Sequence, residues 1–150
     1  MYYPEIYFNI DTLDRVLKLY DWPSKYELVE TNSGDIVVEF DKCKVVVSEG
    51  FESDMYAYFP NELTGRNNKQ VNLELFHAIQ IMRPIAQNKI GYKEPKGLKL
   101  NLEGEPSLQK VEDGLHNICI LLQAYLLPCI EGDFSWVEEY NKQHPENLTC

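Results

Sequence analysis

Four short runs in which apolar and polar residues alternate, separated by tight turn chemistry, constrain this chain more than any other feature. They are Tyr26–Thr31, Ile36–Phe40, Cys43–Ser48 and Asp54–Phe59, punctuated by Asn32-Ser33-Gly34-Asp35, Asp41-Lys42 and Glu49-Gly50. Successive side chains of a strand point to opposite faces, so a period of two marks strands buried on one side. Short Gly-, Asn- and Asp-rich turns join such neighbours into an antiparallel meander. In the second and third runs Ile36, Val38, Phe40 and Cys43, Val45, Val47 form the apolar set, with Glu39, Lys44 and Ser48 opposite. The fourth run departs from the rule. Met55, Ala57 and Phe59 alternate with Tyr56 and Tyr58, so both of its faces are apolar or aromatic.

The period changes on either side of the meander. Asp11 precedes Leu13, Val16, Leu17 and Tyr20 at helical spacing, and Asp14 three residues later completes an approximate capping box for a first helix that ends before Pro23. Residues 60–71 read as a loop. Asn72 is expected to cap a helix carrying Leu75, Phe76, Ile79, Met82, Ile85 and Ala86, kinked or interrupted by Pro84, with Gly91 near its end. In the loop that follows, Leu98, Leu100 and Leu102 alternate and suggest one more short strand. Ser107 then caps the longest helix, whose stripe is Leu108, Val111, Leu115, Ile118, Leu122 and Tyr125, and Pro128 and Gly132 end it. A last amphipathic helix starts near Asp133 or Ser135 with Phe134, Val137 and Tyr140. The expected fold is α+β: an antiparallel β-meander of about four strands packed against a central C-terminal helix and two to three further helices. At 150 residues such a chain buries enough surface to need no metal or disulfide staple, and no repeat or linker divides it, so residues 1–150 read as one domain.

Charge narrows the partners. With 14 Lys+Arg against 24 Asp+Glu the formal charge is −10, which argues against direct binding of nucleic acid or of an anionic membrane and permits a basic protein partner. Residues 1–62 carry −8, residues 63–110 carry +4, and residues 111–150 carry −6. The basic middle centres on Lys89, Lys93, Lys96 and Lys99. The start of the chain shows neither a basic n-region nor an apolar h-region, and the longest nearly apolar run, Ile118–Ile130, falls short of the roughly 18 residues that span a bilayer. A cytoplasmic protein is the expectation. In a reducing compartment Cys43, Cys119 and Cys129, which lack any C-x-x-C spacing, read as buried apolar thiols, and Cys150 as a terminal one.

Catalytic chemistry finds little support in the residue pattern. Glu74/His77 and Asp113/His116 each set a carboxylate three residues before a histidine, the spacing of di-metal helix bundles, but such sites need carboxylates from two more long helices. His116, Cys119 and Cys129 include one pair with zinc-like spacing. Hydrogen-bonded helix-face residues are the simpler reading of both sets. No nucleophile elbow, Ser-x-x-Lys, Walker A or G-x-G-x-x-G motif occurs, and the adjacent acid pairs Glu112/Asp113 and Glu138/Glu139 diverge on a helix. The expectation is a non-enzyme with no cofactor and no metal.

The segment around the fourth strand stands out instead. Glu49, Glu52, Asp54 and Glu62 interleave with Phe51, Tyr56 and Tyr58. Tyrosines offer rigid contact area with a polar tip, and carboxylates around them steer a basic partner. The competing reading puts helices on both faces of the sheet and the tyrosines in the core, the commoner fate of aromatics. Trp136 carries the same ambiguity, with packing favoured.

Size, acidity, the small meander with core helices, and the closing Gly132-Asp133-Phe134-Ser135-Trp136 turn make the chain resemble the immunity proteins of bacterial contact-dependent inhibition and polymorphic-toxin systems. The resemblance implies a cytosolic inhibitor of one cognate toxin domain, often a basic nuclease. It transfers no site residue, since these inhibitors share no site pattern. On that reading Glu49, Glu52, Asp54 and Glu62 stand in for substrate phosphates, while Phe51, Tyr56 and Tyr58 anchor the contact. An acidic adaptor module is the alternative, and a small hydrolase using His77, His116 or a cysteine is the third.

Overall fold

A computed structural model describes residues 7–50, 54–60, 73–99 and 106–135. Within them five strands lie in chain order across one antiparallel sheet: β1 (Tyr26–Glu30), β2 (Ile36–Phe40), β3 (Lys44–Glu49), β4 (Met55–Phe59) and β5 (Leu73–Glu74). The first four are the expected meander. Its register sets Leu28 opposite Val38, Val38 opposite Val45, and Val47 opposite Ala57, so the apolar set of each strand falls on one face. The fifth strand is an addition. Leu73 and Glu74 pair with Phe59 and Tyr58 immediately before a helix begins.

Among the described residues four helices accompany the sheet: α1 (Ile10–Leu17), α2 (Leu75–Gln87), α3 (Leu108–Tyr125) and α4 (Leu127–Ile130). Their starts correct two expectations. The α1 cap is Asn9, whose side chain accepts from Thr12 N–H at 2.9 Å, so Asp11 lies inside the first turn, where it faces the helix dipole. Asp14 is not a capping-box partner. It accepts from Tyr26 Oη at 2.9 Å and pairs with Lys18 Nζ at 2.8 Å, contacts that hold its carboxyl below the usual range. The N-cap position of α2 is Glu74, in extended conformation and without a side-chain cap bond; Asn72 lies outside the described residues. Ser107 does cap α3, accepting from Lys110 N–H at 3.1 Å.

Helix ends follow local chemistry. Pro84 does not stop α2, which runs on for its last turn to Gln87. Tyr125 ends α3, and Pro128 sits in the first turn of α4, where its missing N–H costs no helix bond. Gly132 then takes a φ of +92°, the left-handed turn that favours glycine. Leu98 is in no strand, and Leu100 and Leu102 lie outside the described residues, as does nearly all of the expected last helix.

All four helices contribute to a core on one face of the sheet. Leu13, Val16 and Leu17 of α1, Ala78 and Met82 of α2, Val111, Leu115, Ile118 and Leu122 of α3, and Cys129 and Ile130 of α4 join Ile36, Val38, Val45, Val47 and Phe59 in one cluster. Of the expected α3 stripe only Leu108, at the first turn, is exposed. Close approach of α3 to β4 depends on Gly114, since a Cβ there would stand 2.8 Å from Met55 Cγ and 3.0 Å from its Cβ. Gly114→Ala therefore opposes two effects: a helix-propensity gain of about 1 kcal/mol and an overpacking cost of about 1–3 kcal/mol. We expect the variant to be less stable than wild type in urea unfolding. A more stable variant would show that α3 is not held this close.

Candidate protein-interaction surface

The opposite face of the sheet is exposed toward its edges and closed at its centre. Glu27, Val29, Tyr56 and Glu74 are exposed there, whereas Val46, between Val37 and Tyr58 in the register, is buried. Among the described residues no helix covers Tyr56. Tyr56 is 50% exposed, with its ring over Gly50, where an added Cβ would meet it at 2.3 Å. Tyr58 is half-buried. Desolvation, then the nearby Asp35 charge, pushes its hydroxyl pKa up.

The expected residues part company here. Glu49 is exposed and faces Met55 across the β3–β4 pair, one step from Ser48 and Tyr56. Asp54 is ion-paired while still partly exposed: the largely buried Lys110 Nζ of α3 approaches it at 3.5 Å. Phe51, Glu52 and Glu62 lie outside the described residues. A residue not singled out as a contact completes the patch. Phe76, in the first turn of α2, is 63% exposed and shares with Tyr56, Tyr58, Glu74, Gly114, Asn117 and neighbouring aliphatics a groove of about 180 Å³. Its neighbour Leu75 is buried, but adjacent helix residues can both be buried, as Ala78 and Ile79 of α2 are, so adjacency alone carried no signal for the exposure of Phe76.

The basic loop lies on the helical layer. Lys99 N–H donates to Asn117 Oδ1 at 2.7 Å, Asn117 Nδ2 donates to Lys99 O at 2.9 Å, and the Tyr92 and Tyr125 hydroxyls meet at 2.8 Å. Its lysines Lys89, Lys93, Lys96 and Lys99 are exposed. None of them lines the groove around Tyr56.

The residues with catalytic or metal-ligating side chains make the following contacts. His116 Nδ1 and Tyr20 Oη are hydrogen-bonded at 2.8 Å, and Asp113 accepts from Gln109 Nε2 at 2.8 Å. Because Glu74 is extended and belongs to β5, it does not share a helix face with His77. Among the described residues no three His, Cys, Asp or Glu side chains gather as a metal-holding group, and no helix is long and apolar enough to cross a membrane. Cys43, Cys119 and Cys129 are buried as expected, and Cys150 lies outside the described residues. Burial pushes the Cys43 and Cys119 thiols up to about 12.

No protein-family model, curated protein or solved structure matches the chain.

Thiolate is the reactive form of cysteine, so thiols titrating near 12 stay inert at mild pH. Cys43 and Cys119 are expected to resist iodoacetamide at pH 8 in the native protein and to be labelled after unfolding in urea, as read by peptide mass spectrometry. Rapid native labelling at Cys119 would restore a thiol nucleophile to consideration.

Proposed function

We propose that this chain is a binding protein, not an enzyme, and that it recognises a basic protein partner through the aromatic groove around Tyr56. Within that class the reading best matched by size, acidity and layout is a cytoplasmic immunity protein that neutralises a cognate bacterial toxin domain. The observation that carries the binding role is the exposure of Tyr56 and Phe76 on one apolar groove whose described lining contains one carboxylate, Glu74, and no cation. Large exposed aromatics are the side chains that most often dominate interface energetics. Here they come from a strand and a helix packed into the core, so little flexibility is lost when they are covered.

Electrostatics complements this anchor. Glu49 and Glu74 are exposed, Asp35 stands near Tyr58, and the chain carries −10 overall. Such rim charges accelerate encounter with a basic surface and make it salt-dependent. The reading differs from the sequence expectation in its residues. Asp54 is engaged by Lys110, and Phe76 joins Tyr56 and Tyr58 as an anchor. The enzyme reading gains nothing from the burial of Cys43 and Cys119, and nucleic acid and membrane remain the partners least suited to this charge.

The test is capture of the product of the gene immediately upstream by the purified protein, with affinity measured over a salt series. Binding that weakens with salt, and that Tyr56→Ala or Phe76→Ala reduces about 30-fold while the remote exposed variant Leu19→Ala does not, is the expected result. Salt-independent binding would remove the steering role. A neighbouring gene with no toxin-like product, together with no capture, would remove the immunity function.

A further inference from the structure

At the far edge of the sheet β1 is the terminal strand among the described residues. Thr31 N–H donates to Asp35 O at 2.8 Å, which fixes the hydrogen-bond phase of the β1–β2 pair. In an antiparallel ladder bonded and non-bonded pairs alternate, so Val29 and Glu27 direct their main-chain groups at Val37 and Glu39. Tyr26, Leu28 and Glu30 must then turn theirs away from the sheet. Strand order places no strand beyond β1, and no main-chain partner for these three residues occurs among the described residues. Three N–H and three C=O groups thus line up along a five-residue edge.

Side chains along this edge specify what suits it. On the face away from the helices, one row across the sheet reads Lys44, Glu39, Glu27 and then open edge. Glu39 and Glu27 are directly opposed like charges, an unfavourable pairing in a sheet. A cation placed beside Glu27 would relieve it. The neighbouring row reads Val46, Val37, Val29 and open edge, and Val29 is 42% exposed, so the next position favours an apolar side chain. Glu30, also exposed, adds a second negative site at the end of the strand.

We propose that β1 is a docking edge for an extended, basic segment of a partner protein, added antiparallel to β1 with an apolar residue opposite Val29 and a Lys or Arg opposite Glu27. Strand addition of this kind draws affinity from main-chain hydrogen bonds and selectivity from alternate side chains. A second copy of this chain suits the edge less well. Each copy brings −10, and charged side chains on an edge strand are a known defence against self-pairing. The edge lies three strands from β4, so this proposal and the aromatic-groove reading stand or fall separately.

The probe is a synthetic acetylated and amidated heptapeptide, Thr-Lys-Val-Val-Lys-Val-Thr, titrated into the full chain while backbone amide signals and their hydrogen exchange are followed by NMR. Binding is expected to slow exchange at Leu28 and Glu30 by at least about tenfold, and to weaken about fivefold in Glu27→Lys. Glu27→Gln should give a smaller loss and guards against misfolding of the reversal. A peptide with Glu in place of both Lys should not bind, nor one N-methylated on the amides that face β1. Failure of the parent peptide to bind, signal changes confined to the aromatic groove, or indifference to Glu27 would overturn the proposal. Protection of Leu28 that grows with protein concentration alone would overturn it in favour of a self-paired edge.

Discussion

The contact of α3 with the sheet at Gly114 organises the rest of the molecule. Without a side chain at that position the helix approaches Met55 closely enough for Val111, Leu115, Ile118 and Leu122 to meet the inward residues of β2, β3 and β4. The same helix carries Lys110 to Asp54, His116 to Tyr20, and Asn117 to the basic loop. The core is built on this single face, and what lies outside it is uneven: at one edge of the sheet the half-exposed Tyr56 of β4 stands near the exposed Phe76 of α2, and at the other lies the acidic strand β1, paired only on its β2 side among the described residues.

Much of this architecture is legible in the residues because the physics that sets it is local. Strands β1 to β4 announce themselves through period-two alternation between turns, and Ser107 through its place before a long apolar stripe. Elsewhere tertiary packing decides. Two strong N-cap residues, Asn9 and Asp11, precede the first apolar stripe, and only the observed bond to Thr12 shows which one caps α1. The β5 strand is two residues long and has no period to detect. Its existence depends on Phe59 and Tyr58 offering an edge beside the start of α2.

The candidate surface was legible in part for the same reason. Aromatic alternation in β4 marks Tyr56 and Tyr58 as unusual, yet exposure depends on which sheet face the helices cover, a property of the whole fold. Phe76 belongs to a helix whose apolar residues are too numerous to face one way, so which of them faces outward is decided by the packing of the whole helix against the sheet and α3. Asp54 shows the opposite case. Its chemistry suits a steering carboxylate, but a cation from a helix more than fifty residues away engages it. The net charge of −10 is divided in sequence into acidic ends and a basic middle; the basic loop is fastened at Lys99 to Asn117 of α3, which also lines the Tyr56 groove, and no lysine is among that groove's described lining.

The central claim is that partner recognition uses the aromatic groove where β4 meets the start of α2 and the middle of α3, and not the far end of α2 with the lysine loop. Cross-saturation NMR tests it most directly: the captured partner is irradiated in complex with this chain, and transfer to individual side chains is mapped. The account predicts strong transfer to the rings of Tyr56, Tyr58 and Phe76 and little to Ile85 and Ile90, which are exposed on α2 and just beyond it. Transfer concentrated on Ile85, Ile90 and the lysine loop, with the three rings silent, would contradict it.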